Sequence, residues 1–388
     1  MTRCYLHALG ITNALGTDAA SVRRGLYAGS TAGMRERSDL IPGRSVRVGE
    51  AAEPAALEAS MERYASRNNR LLRAAVQQIR PAIEAALSRH GAKRVGAVLG
   101  TSTAGIAEGE RAVAVRMQSG AFPADYDYRQ QELGSTSGYL RHALGLGGPA
   151  WTLSTACTSS AKALASGHRL LAAGLSDVVI VGGVDSLCRL TLNGFAALES
   201  LSRGLCNPMS RNRDGINIGE GAAVFLMSRE PGPVAVLGIG ESSDAYHISG
   251  PDPEGRGAEL TMRQALAGVG ATAVDYLNLH GTATPQNDLM ESHAVQRVFG
   301  PDVPCSSTKP LVGHTLGAAG AMELAFCWML LTEPGAATLP PHVWDGEADP
   351  ALAPLKLVGT GVTCECRLVA SNSFAFGGNN ICVVLGRA

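Results

Sequence analysis

Thr152-Leu-Ser-Thr-Ala-Cys157-Thr-Ser-Ser-Ala-Lys-Ala-Leu-Ala-Ser-Gly-His-Arg-Leu-Leu-Ala-Ala-Gly174 is the stretch around which the chain is organised. It opens as a short strand-like run and turns at Cys157 into a run of Ala and Leu with apolar residues at helical spacing, stopped by Gly174. Cys157 therefore sits near a helix N-terminus, where unsatisfied backbone N–H groups and the helix dipole favour an anion. The expectation is a thiol easier to ionise than a free cysteine, which is one way to build a nucleophile. The same spacing also suits a small buried cysteine packed between strand and helix. Val178-Val-Ile-Val-Gly-Gly-Val184 follows as a buried strand, so the unit is strand–helix–strand and the sheet at least partly parallel.

The surroundings narrow the choice. The chain has 388 residues, a formal net charge of −1 and 45% hydrophobic content. That is enough material for a large core and gives no basis for nucleic-acid binding. Nine cysteines, scattered without a Cys-x-x-Cys pair, argue against a disulfide framework, and Cys364-Glu-Cys366 lacks the spacing of a structural zinc site. Met1 to Gly16 has no apolar core of signal-peptide length, and Leu324 to Leu331 is too short to span a bilayer. A cytoplasmic protein with reduced cysteines is expected.

Along the chain, Tyr5 to Leu15 reads as a first strand and turn, and Ala19 to Ala28 as a helix capped by Thr17-Asp18. Residues 54–90 are helical by periodicity, with Arg63, Arg67, Arg70 and Arg73 on or near one face. They form either a solvated face or a docking patch for an acidic partner. Arg94 to Gly100 is a buried strand, and the small residues of Thr101-Ser-Thr-Ala-Gly-Ile106 after it suit tight packing or a pocket wall. The glycine-rich Arg211 to Gly221 lacks the Gly-Lys-Ser/Thr ending of a phosphate loop. A second series of strands and helices begins near Val234 and repeats the order of the first without residue-level self-similarity. Two tightly packed halves, 1–230 and 231–388, are expected.

Three further stretches look chemical: His280-Gly-Thr-Ala-Thr-Pro-Gln-Asn-Asp288, Ser306 to Gly320 with Lys309 and His314, and Ser371 to Asn380. Each is a loop at the end of an expected strand, where open α/β sheets place their sites, so all three and the Cys157 turn can converge on one crevice.

On these residues the chain resembles a β-ketoacyl-acyl carrier protein synthase of the type I/II condensing-enzyme group. Thr155-Ala-Cys-Thr-Ser, His280-Gly-Thr-x-Thr-Pro, Lys309-x-x-x-Gly-His314 with Gly317-Ala-Ala-Gly320, and Asn372-Ser-Phe-x-Phe-Gly-Gly378 occur in the family's order. The resemblance implies a thiolase-like α/β fold, a five-layer αβαβα sandwich of two similar halves, and a dimer. It implies that Cys157 carries the acyl group as a thioester, that His280 and His314 stabilise the enolate left by malonyl decarboxylation, and that the backbone N–H groups of Cys157 and Phe376 form the oxyanion hole. Lys309 becomes an electrostatic organiser beside Glu323. Thr282 and Thr284 match positions that bind the phosphopantetheine arm of an acyl carrier protein. Phe374 and Phe376 fall at the acyl-pocket gate, and Ala104 falls near the acyl pocket, with tight packing as its alternative.

No metal and no permanently bound cofactor is required. Relatives with a Cys–His–Asn set and thiolases with a second cysteine in a Cys-x-Gly loop match less well. Asn193 to Glu199 and Arg213 to Glu220 resemble synthases of aryl-polyene pigment clusters. That reading opens a heterodimer with a chain-length-factor-like subunit beside the homodimer. A non-condensing subunit of that type is disfavoured by Cys157 and both histidines, and an acyl hydrolase by the lack of a group to activate water.

Overall fold

The computed structural model describes residues 2–388. Ten strands of its main sheet fall into two sets of five. The first contains β1 (Cys4–Asn13), β2 (Val95–Gly100), β3 (Ala150–Leu153), β4 (Val178–Asp185) and β5 (Gly221–Ser228). The second contains β6 (Val234–Ser243), β7 (Tyr276–Asn278), β8 (Pro304–Ser306), β9 (Leu368–Ala375) and β10 (Asn379–Arg387). The spatial orders are β3-β2-β4-β5-β1 and β8-β7-β9-β10-β6, the same permutation twice. The pairing sense repeats too: the first three strands of each order pair parallel and the remaining two pairings are antiparallel. β1 and β6 join the sets edge to edge through Cys4–Leu6 and Val234–Val236. The duplication expected from element order is thus present in the topology.

Burial explains the strand sequences. Every residue of β2, β4 and β5 is buried, as strands covered on both faces require, and they read as continuous apolar runs rather than alternating ones. The cover is supplied by helices α1 (Arg67–Gln78), α2 (Ser135–Leu144), α3 (Ser159–Ala172), α4 (Arg189–Ala197), α5 (Arg256–Val269), α6 (Pro285–Phe299) and α7 (Ala319–Thr332). α1 and α2 pack on the outer face of the first set, and α5, backed by α6, on the outer face of the second. α3 and α7 lie between the two sets and against each other. These are the five layers that the resemblance implies. A helix sandwiched between sheets has no wet face, and α7 accordingly buries twelve of its residues, from Ala319 to Leu331 with only Trp328 part-buried. The starts of α3 and α7 touch: a Cβ on Gly320 would lie 2.9 Å from the backbone nitrogen of Ala161.

Two expectations are corrected. Residues 54–90 do not form one helix but a 3-10 turn at Ala59–Tyr64, α1 and a further helix at Arg80–His90. The arginine row is not a free docking face, because acidic partners within the chain engage Arg67, Arg70 and Arg73. Arg67 donates to the fully buried Glu220 at 2.5 Å and also pairs with Glu53, which binds Arg70 at 2.6 Å. Arg73 meets Glu58 at 3.0 Å, and the guanidinium of Arg63 lies 4.9 Å over the ring of Tyr64. A buried carboxylate needs its cation, so Arg67 is structural.

Candidate active site

Each chemical loop starts from a strand end and is held by buried hydrogen bonds. The turn before Cys157 bends through Ala156, a non-glycine residue at φ +51°, a conformation that costs on the order of 1–3 kcal/mol and that the surroundings must enforce. The Ser159 hydroxyl enforces it by accepting from Thr155 N at 2.9 Å and donating to the carbonyl of Ala156 at 2.6 Å. Cys157 thus emerges two residues ahead of α3 with its side chain 8% exposed.

His280 follows β7. Its loop is gripped by Glu291 on α6, which accepts from His280 N at 2.8 Å and Gly281 N at 2.7 Å. His314 is held by the glycine-rich segment, since its N–H donates to Asn217 O at 2.7 Å and its carbonyl accepts from Gly219 N at 2.9 Å. Arg211 to Gly221 is therefore a support for a histidine, in keeping with its failure to read as a phosphate loop. The Phe376-Gly-Gly378 turn needs positive φ at both glycines, +81° and +75°, and is pinned by Gly377 N to Ile248 O and Asp244 N to Gly378 O, each 2.8 Å.

These loops bring three groups together. Cys157 Sγ lies 3.0 Å from His314 Nε2, and the His280 and His314 rings stand edge to face at 5.4 Å and 86°. Phe374 is buried and packs edge-on to His280 at 6.0 Å. Behind them Lys309 Nζ contacts Glu323 Oε1 at 2.5 Å, the carbonyl of His280, and His280 Nδ1 at 3.5 Å. Both are buried. A lysine facing Nδ1 leaves the His280 proton on Nε2, so the ring presents a donor to the cleft. His314 Nδ1 is buried without a partner, so nothing fixes that ring to one tautomer; its Nε2 can accept from a thiol or donate to an oxyanion.

Burial first, then Lys309 and His314, hold His280 well below the ordinary imidazole range; burial and Lys309 do the same to His314. Burial also pushes the Cys157 thiol up to about 12. Lys309 and the N–H groups of Cys157 and Phe376 act in the opposite direction, Glu323 in the same one. This corrects the expectation of an easily ionised thiol: desolvation outweighs the helix start. These shifts favour a neutral thiol beside a neutral imidazole, and His314 Nε2 is the base within reach of the thiol proton. The N–H groups of Cys157 and Phe376 both favour negative charge at the sulfur.

The three donor atoms lie within 4.8 Å of one another, a spacing that would suit a three-ligand metal site. Their chemistry does not fit one: Lys309 behind His280 opposes a second cation and makes Nε2 a donor rather than a ligand.

A cleft lies above Cys157, bounded by the loops of His280, His314 and Phe376. Thr282 and Thr284 line it, their hydroxyls 2.9 Å apart, and Phe376 stacks on Phe195 of α4 at 5.6 Å across its mouth. Ala104 is not among the residues that line it. It is 1% exposed, at φ +43°, in a loop that Asp185 ties down through Thr101, Ser102 and Thr103. Sequence reasoning missed Asp185, Glu291 and Asn217, none of which touches the cleft chemistry directly. The available signal for Glu291 was its place three residues after Asp288 on one face of the helix following His280.

Two regions match family models: residues 18–231 the beta-ketoacyl synthase N-terminal domain, and 234–343 the C-terminal domain. A 3-oxoacyl-[acyl-carrier-protein] synthase 2 from Rhizobium meliloti is 36% identical over 270 residues, 64% of this chain and 62% of that protein. A ketosynthase (ApeO) from Xenorhabdus doucetiae, solved in complex with its chain length factor (ApeC), superposes with a TM-score of 0.95 at 46% identity, covering 100% of this chain and 98% of that one. A beta-ketoacyl synthase from Burkholderia phymatum gives 0.88 at 28% identity with both chains fully covered. With the sulfur, the two imidazoles and the buried lysine pair gathered at the strand ends of this fold, the chain belongs to the β-ketoacyl synthase family.

Proposed function

We propose that the protein is a β-ketoacyl-acyl carrier protein synthase that extends an enzyme-bound acyl chain by decarboxylative condensation with malonyl carrier protein. The observation that carries the reading is the 3.0 Å contact of Cys157 Sγ with His314 Nε2, in a cleft shared with His280. Cys157 attacks the acyl thioester, its proton passing by His314 to the departing carrier thiol, and keeps the acyl group as a new thioester. With the sulfur acylated, Nε2 of both histidines faces the malonyl thioester. Loss of carbon dioxide leaves an enolate whose oxygen they hold. Its carbon attacks the acyl carbonyl, the oxyanion rests on the N–H groups of Cys157 and Phe376, and collapse expels Cys157, which regains a proton.

Lys309 and Glu323 keep the histidines neutral and oriented. Thr282 and Thr284 take the phosphopantetheine arm, Phe374 and Phe376 gate the acyl chain, and no permanent cofactor is needed. The nucleophile belongs to the half 1–230 and the histidines to the half 231–388, in a cytoplasmic enzyme. No helix among the described residues is long and apolar enough to cross a membrane.

The likeness to a ketosynthase solved with its chain length factor favours a specific second reading, an aryl-polyene-type synthase paired with such a subunit in place of a homodimer. β3 supports a partner of either kind, because it ends the sheet with an unpaired edge. The test is intact-mass analysis of the pure protein after incubation with a panel of acyl carrier proteins. An acyl adduct on Cys157 supports the reading, and the preferred chain discriminates fatty-acid from polyene substrates; no adduct from any carrier contradicts it.

A further inference from the structure

We infer that Asn287 is a substrate-binding residue whose Oδ1 accepts a hydrogen bond from the amide N–H of the pantetheine arm nearest the thioester. The inference rests on the condensing reading above and deepens it. Asn287 lies in the first turn of α6, 8% exposed, and lines the cleft with Thr282 and Thr284. Its Nδ2 donates to Asp288 Oδ1 at 3.1 Å and to Glu291 Oε2 at 3.3 Å. Both carboxyl groups are fully buried, and the oxygens facing Asn287 also accept backbone N–H groups, Asp288 Oδ1 from Ala283 at 3.2 Å and Glu291 Oε2 from Gly281 at 2.7 Å, so the amide sits with its nitrogen toward them. Oδ1 is thereby turned the other way. It accepts no hydrogen bond among the described residues and is not among the polar atoms sealed from solvent.

The cleft therefore presents an acceptor whose orientation is fixed. The hydroxyls of Thr282 and Thr284 can rotate to donate or accept; an amide oxygen cannot. A thioester carbonyl, a malonyl carboxylate and a phosphate bring acceptors alone, so the complementary group is an N–H or O–H of the arm. Glu291 orients Asn287 and also holds the N–H groups of His280 and Gly281, which places this acceptor beside the reacting centre and selects the amide closest to the sulfur.

The test compares acylation of Cys157 by an S-acyl-N-acetylcysteamine with that by its oxa-ester counterpart, in which O replaces the amide N–H. Wild-type enzyme should prefer the amide by about tenfold in kcat/KM, the size of one well-placed hydrogen bond. In Asn287→Ala the preference should collapse toward one, because the two losses describe the same bond. Asn287→Ser, which keeps a donor for Asp288 but withdraws the acceptor from the cleft, should behave alike if the alanine variant does not fold. A wild-type ratio near one overturns the inference without any variant, as does an undiminished preference in a folded variant. Acylation by neither analogue overturns the condensing reading and this inference with it.

Discussion

The two halves share one strand permutation yet put different things at equivalent places. After the third strand of each set the chain turns toward a central helix, through Ala156 at φ +51° in one half and Leu316 at φ +50° in the other. The first turn delivers Cys157; the second is longer and delivers Lys309 and His314. After the second strand, one half has Thr101 to Ala104 and the other His280 to Thr284. A buried carboxylate grips each loop by its backbone N–H groups, Asp185 in the first and Glu291 in the second. The two halves share a scaffold, and the proposed mechanism divides the chemistry between them: the first half would supply the nucleophile and the second its proton acceptor and charge stabilisers. The same class of anchor consequently serves packing in one half and a catalytic loop in the other.

The largest effect expected from breaking this division is in Cys157→Ala, which should lose condensation and acyl-enzyme altogether, since no equivalent of Cys157 exists in the second half. Intact mass spectrometry checks it, and an adduct surviving in the variant would place the nucleophile elsewhere. Wild-type alkylation by iodoacetamide should also be slow at pH 7 and climb about tenfold per pH unit toward pH 10, because the thiol sits near 12.

Next come the histidines, which should not behave alike. His280→Ala should lower carbon dioxide release from malonyl carrier protein by about a hundredfold or more and leave acylation intact. His314→Ala should lower both, because Nε2 touches the sulfur. Equal acylation rates in the two variants would remove His314 as the proton acceptor.

The anchors sharpen the comparison at a smaller scale. Asp185→Ala orphans several buried donors and should destabilise the fold by at least about 2 kcal/mol without selecting either half-reaction. Glu291→Ala should depress decarboxylation more than acylation. A Tm series combined with the two half-reaction rates separates them, and identical rate patterns would deny Glu291 its positioning role.

The smallest effect is a pH dependence. Burial pushes the Glu291 carboxyl up to about 7 against the backbone N–H groups that it accepts from, whereas the unfolded chain titrates near 4.5. The folded protein therefore holds that proton more tightly. The stability it contributes is full below about 4.5 and lost as pH rises through 7. The Tm gap between wild type and Glu291→Gln should narrow from pH 5 to pH 8, and a constant gap would contradict the assignment.

What was legible in the sequence follows from these differences. Cys157, His280, Lys309 and His314 sit in glycine- and threonine-rich loops after apolar strands, so composition and place betrayed them, and α7 announced itself by an apolar run with no polar face. The duplication was visible as element order but not as residues, because each half keeps the pattern of burial and not the side chains that satisfy it. The state of the Cys157 thiol was not legible: a helix start is local, whereas desolvation comes from loops up to 157 residues away, such as that of His314. The partners of the arginine row were hidden for the same reason, since Glu220, which claims Arg67, lies 153 positions further on. Ala104 was placed by likeness alone, and the hold of Asp185 on its loop is a contact across 82 positions or more that local sequence does not show.

The central claim is that one cleft joins two carbon chains using a sulfur from one half and two imidazoles from the other. The direct measurement loads Cys157 with an acyl group, adds malonyl carrier protein labelled with ¹³C, and follows both products by mass. The account predicts a β-ketoacyl carrier protein two carbons longer than the loaded chain, with one carbon dioxide released per chain extended. Release of the loaded group to water as a free acid, with the malonyl group intact, would contradict it.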